Sequence, residues 1–172
     1  MTLPSTFEPL FTRMKEVLEQ GLGTDVDRLI ASGLLDGSYV REGLEQRLKW
    51  DVIRNPQITF DIIEKTNPEL VDANQDNLAL IITVRVTISV RLHSEVQRER
   101  WEQTKNEFHY LSKKVISALR NPTNLETTEG GTDTGLSSGL LTLVSAREPI
   151  YDWENKVVTI QTDFRGTIWM NH

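Results

Sequence analysis

The chain has 172 residues, no cysteine, 38% hydrophobic and 26% charged residues, and a formal net charge of −6. This length suits one domain with a core of its own, and the lack of cysteine excludes disulfide and thiolate–metal frameworks. The acidic balance excludes a dedicated duplex-binding surface, which needs a basic face to displace counterions from phosphate. No apolar run approaches a membrane span, and the opening MTLPSTFEPL lacks the basic-then-apolar pattern of a signal peptide, so a cytosolic setting without membrane contact is expected.

Ser5 and Glu8 have the spacing of a capping box, and Phe7, Leu10, Phe11, Met14 and Leu18 follow at helical spacing. Gly21 and Gly23 predict the end of this helix. A second helical stretch is expected from Thr24, with Asp25 and Asp27 in its first turn, and Gly33 and Gly37 interrupt it. A third begins at Ser38 and repeats Val40, Leu44 and Leu48, completing a helical segment over 5–48. Trp50–Arg54 is ambiguous, because Leu48, Trp50 and Val52 alternate as a strand would.

After Asn55-Pro56 the period drops to two. Gln57–Glu64 alternates through Ile58, Phe60 and Ile62, and Thr66–Asn77 is a polar loop. Ile82, Val84, Val86, Ile88, Val90 and Leu92 then point one way; Thr83, Arg85, Thr87, Ser89, Arg91 and His93 point the other. At roughly 3.3 Å per residue, Ile82–His93 is about 40 Å long, which is the width expected of the whole domain. With its lead-in the strand covers 78–93.

Ser94 and Gln97 repeat the capping-box spacing and open a long helix over 95–120, with a stripe of Trp101, Phe108, Leu111, Val115 and Leu119. Asn121-Pro122 stops it. A polar stretch over 121–139 is expected as a mobile loop or an interaction loop. Leu140–Arg147 and Lys156–Met170 are the closing strands, joined by a turn at Tyr151–Asn155. In the last one Val158, Ile160, Thr162, Phe164, Gly166 and Ile168 face inward, while Gln161, Asp163 and Arg165 face out with the parity of Trp169. The expected fold is α+β: a single domain over 1–172, with a mainly antiparallel sheet of about four strands against N-terminal helices and the long helix. Sheet and long helix occupy 57–170.

Chemistry is harder to find. Gly135-Leu136-Ser137-Ser138-Gly139 fits the nucleophile-elbow pattern, which makes a serine hydrolase using Ser137 the enzymatic alternative. The only later histidine is the terminal His172, and a strand-like run follows where a helix is needed. Asp51, Asp61 and Glu64-Lys65 resemble a metal-dependent nuclease set in composition but lack its spacing, so solvated strand charges explain them better. His93, His109 and His172 have no partner at helical spacing. No catalytic residue, cofactor or metal site is expected, and the chain is read as a non-enzyme.

The order of elements, with HYLSKKVISALRNP closing the long helix (Leu111–Pro122) and DWENKVVTIQTDFRGTI (within Tyr151–Ile168) forming the last strand, resembles the tail terminator and tail-completion (neck) proteins of long-tailed bacteriophages. The resemblance covers about half of the chain and rests on element order and hydrophobic pattern around Ile82–His93. It implies a homo-oligomeric ring, commonly a hexamer, that caps the tail tube, ends its polymerisation and meets the head-side connector, in a virion assembled in the host cytoplasm. DNA would pass its acidic lumen without specific binding. A head-completion, connector or tube-like virion protein is the nearest alternative. On this reading Arg85, Arg91, Asp163, Arg165 and Trp169 form the candidate subunit interface.

Overall fold

The computed structural model describes residues 3–35, 56–66, 77–93, 100–120 and 125–171. The expectations for the third helical stretch, Trp50–Arg54, most of the 66–77 loop, the helix start at 94–99, 121–124 and His172 lie outside them. In chain order the described elements are α1 (Glu8–Ala31), β1 (Gln57–Thr66), β2 (Asn77–Arg91), α2 (Trp101–Leu119), β3 (Thr142–Ala146), β4 (Ile150–Asp152) and β5 (Val157–Asn171). The α+β class holds.

The start of α1 departs from the capping-box reading. Its N-cap is Phe7, and the Glu8 N–H is met by the Thr6 hydroxyl at 3.4 Å instead of by Ser5. Pro9 fits in the first turn because no helical donor is lost there. The helix also runs straight through Gly21 and Gly23, where a break is expected. The apolar stripe explains this. Leu10, Met14, Leu18, Leu22, Val26 and Leu29 stay buried along one face, and burying that stripe outweighs about 1 kcal/mol lost per glycine. Gly21 also lies against α2, since a Cβ there would sit 3.4 Å from the Ala118 Cβ. Gly33, at φ +76, is what ends the helix, and the Leu34 N–H caps it on the Leu29 carbonyl.

Nothing lies within 4 Å of a Cβ built on Gly23. Gly23→Ala is therefore expected to stabilise the protein by roughly 0.5–1 kcal/mol, read as a higher urea midpoint at unchanged slope.

The sheet has the order β1-β2-β5-β3, every neighbour antiparallel, with β4 also paired to β5. β2 and β5 are the central pair, each 15 residues long, with an unbroken register from Asn77↔Asn171 to Arg91↔Val157. β3 and β4 act as one interrupted edge strand alongside β5. Tyr151 and Asp152, expected inside the turn, belong with Ile150 to a strand, and the turn is Trp153–Lys156. β1 carries a bulge between Ile62 and Glu64, and β3 another between Leu143 and Ser145.

Residues of even number on β2 and β5 face the core as their alternation predicts. Leu80 to Leu92 and Val158 to Met170 pack there against Phe108, Leu111, Val115 and Leu119 of α2 and the stripe of α1. The helices are tied to each other at their polar margin. Arg28 donates twice to Glu107, at 2.8 and 2.7 Å, and Lys114 lies 3.3 Å from the Asp25 carboxylate. The hydrogen bond from Arg28 holds the Glu107 carboxyl below its ordinary range.

The polar stretch expected as a mobile loop is, over its described part 125–139, folded back on the domain. Thr134 is buried and its hydroxyl donates to the Leu125 carbonyl at 2.6 Å, while its N–H donates to Glu126 at 3.1 Å. Thr127 bridges Asp133, and Leu136 bridges Ile168 at the end of β5. The Glu129 N–H reaches the Glu16 carboxylate of α1 at 3.0 Å. These bonds satisfy backbone groups that a free arm would leave to water. The start of the chain closes the same corner, with the Asn171 N–H donating to the Pro4 carbonyl at 2.9 Å.

Candidate functional site

Because side chains alternate along a strand, the face opposite the core collects the odd residues of β2 and β5. Register then decides which of them meet. Arg91 stands opposite Val157, Arg85 opposite Asp163, Thr83 opposite Arg165 and Ala79 opposite Trp169. All five candidate interface residues thus share one face. Arg91 is at one end, Trp169 at the other, and Asp163 and Arg165 lie between. Among the described residues α1 and α2 both pack on the core face, and neither packs on this second face.

Its centre is a cross-strand charge ladder. Asp61 on β1 stands opposite Arg85 on β2, which stands opposite Asp163 on β5. The guanidinium donates to Asp163 through Nε at 2.9 Å and Nη2 at 3.1 Å, a bidentate fork. That hydrogen bond raises the Arg85 pKa, with the Asp163 and Asp61 charges adding to it. One step along, Arg165 lies 3.6 Å from Glu64, and the Thr83 hydroxyl donates to the same carboxylate at 3.4 Å.

Asp163 points outward as predicted, and it is only 8% exposed, held beside the Arg85 fork. Two of the candidate arginines are therefore neutralised within the sheet. What the face offers a partner is ion-paired polar surface flanked by threonines, with Ile81 and Ile150 exposed beside it.

A double-mutant cycle on Arg85→Met and Asp163→Asn should return a coupling of roughly 1–3 kcal/mol, with each single change destabilising because it strands a partly buried charge. Additivity in denaturant midpoints would refute the coupling.

The other candidates are dispersed. Asp61 and Glu64 belong to the second face, whereas Lys65 sits 5.8 Å over the Phe7 ring, so they do not converge on a metal. Asp51 lies outside the described residues. His109 Nε2 lies 3.2 Å from Glu148, and no group of three or more His, Asp or Glu able to hold a metal occurs among the described residues. Ser137 opens a single 3-10 turn, Ser137–Gly139, that leads into β3. The left-handed backbone falls on Ser138, not on Ser137, and the strand-to-helix turn of a nucleophile elbow is not formed.

Sequence reasoning missed the bulge residues Ile63 and Val144, which are exposed at the two edges of the sheet. The adjacent isoleucines at 62 and 63 break alternation, and that was the available signal. It also missed Tyr151, packed edge-on to Phe108 at 6.5 Å and stacked on Trp153 at 6.4 Å. Burial pushes its phenol up to about 12, with the Glu148 charge adding. Since the folded pKa exceeds the unfolded value, this contribution is present below pH ~10 and is lost as pH rises towards 12. Stability measured across that window should fall less steeply in Tyr151→Phe than in the parent.

No described helix is long and apolar enough to cross a membrane. No protein-family model matches the chain, and no curated protein matches it in sequence.

Proposed function

We propose that the chain is a structural subunit of a tail terminator (neck) ring of a long-tailed bacteriophage, a non-enzymatic, cofactor-free homo-oligomer that caps the tail tube and joins it to the head-side connector. The observation that carries this reading is a sheet covered by helices on one face, with Arg85, Arg91, Asp163, Arg165 and Trp169 together on the other. Ion-paired surface with marginal apolar residues suits a protein partner. Element order supports the same reading: a strand pair ending in a long strand, a long helix, a folded polar loop, and a final long strand. The formal charge of −6 suits a lumen that DNA passes without adhering.

On this reading the subunit resides in the virion neck after assembly in the host cytoplasm. Light scattering at micromolar concentration and negative-stain microscopy test it, first alone and then with tube protein. Closed rings are expected in at least one of the two. A strictly monomeric particle in both would overturn the proposal.

A further inference from the structure

The two outer strands of the sheet match each other in three respects. The first is direction. In the order β1-β2-β5-β3, with every neighbour antiparallel, β1 and β3 run oppositely. A second copy in the same orientation can therefore lay its β1 beside β3 and continue the antiparallel pattern. Among the described residues no strand pairs with the outer side of either.

The second is level. Ile63 bulges from β1 beside the Thr83–Val84 step of β2, which pairs with Arg165 and Phe164 of β5. Val144 bulges from β3 beside the Phe164–Asp163 step. The two bulges thus sit within one residue of the same height on opposite edges, and each exposes a β-branched residue, Ile63 at 44% and Val144 at 47%.

The third is charge. Arg147, just past β3, donates its N–H to the Gln161 carbonyl and its guanidinium to the Gln161 side chain, which fixes it on the second face at the level of Gln161. Across the sheet that level is Thr87 and then Thr59 on β1, two residues from Asp61. Asp61 competes with Asp163 for Arg85, whose fork is taken by Asp163. An arginine spans a diagonal cross-strand pair of this kind.

We infer that β3 is the docking edge for β1 of a second copy of this chain, with Val144 against Ile63 and Arg147 diagonal to Asp61 of the next copy. The inference rests on the ring reading only for closure, since a head-to-tail contact makes a ring or an open filament according to its rotation. A two-fold pairing of β3 with itself would leave Ile63 and Asp61 without counterparts.

The test uses Val144→Glu and Ile63→Glu, both at half-exposed bulge positions, with a circular dichroism spectrum like the parent's confirming the fold. Each variant alone should lose assembly by light scattering, at least tenfold in association constant. Mixed together they should form a discrete one-to-one dimer, because each retains one intact edge. Ile63→Lys combined with Val144→Glu in one chain should restore assembly. Assembly of either single variant like the parent, or a mixture that stays monomeric, overturns the inference. Parent rings together with assembling variants would defeat this edge and leave the ring standing. Open filaments that obey the mutant pattern would do the reverse, and a parent that stays monomeric both alone and with tube protein defeats both.

Discussion

Gly135→Ala is expected to lower stability by about 3 kcal/mol or more, the sum of a left-handed backbone and a steric overlap. Gly135 has φ +78, and a Cβ built on it would lie 2.3 Å from the Trp169 carbonyl oxygen and 2.9 Å from Pro4. Its own carbonyl accepts from the Trp169 N–H at 2.7 Å, so retreat from the clash breaks the bond that docks the loop on β5. The damage should be local at first. Amide exchange ought to quicken over 125–139 and at Asn171 before it does in the β2–β5 ladder. Equal protection in Gly135→Ala and parent would show that the loop accommodates the methyl group and that its docking is not rigid.

Phe164→Ala should cost roughly 3–5 kcal/mol, the usual range for emptying a fully buried aromatic site. Phe164 is wholly buried on β5, opposite Val84 on one side and Leu143 on the other, so the cavity would open in the middle of the sheet. Domains of ordinary stability hold only about 5–15 kcal/mol in all, and a loss of this size should take the melting temperature down by roughly 10 °C. Phe164→Leu, which keeps most of the volume, should lose far less. If the two variants melt together, relaxation of the loop leucines Leu136 and Leu141, which crowd the neighbouring Gly166, has filled the space.

The same residues show where reading from sequence succeeds. Strict alternation in β2 and β5 names their core face almost without error, because a period of two leaves one face for apolar side chains whatever the strands pair with. It follows that Arg85, Arg91, Asp163, Arg165 and Trp169 sit on the other face. Helical periodicity likewise places Phe108, Leu111, Val115 and Leu119 in the core. Helix limits fare worse. Glycine at 21 signals a stop by local propensity, yet α2 approaches closely at that point, and a contact with Ala118 cannot be read from either segment alone.

The loop over 125–139 is the clearest divergence. Its composition is that of a flexible connection, and nothing local reveals that Thr134 is buried or that Gly135 bonds to Trp169. Asp163 differs for a related reason. Parity makes it an outward carboxylate; only register, pairing it with a residue 78 positions away, makes it a buried partner of Arg85.

By itself, then, the amino-acid sequence determined the α+β class, the two faces of the long strands and the acidic, cysteine-free character of the chain. These follow from periodicity and composition, which are local. The tertiary structure alone decided the strand order, the bulges that expose Ile63 and Val144, the charge ladder through Arg85, and the docking of the polar loop. Each of those depends on contacts between residues far apart in the chain, where energies of packing and charge pairing override local preference.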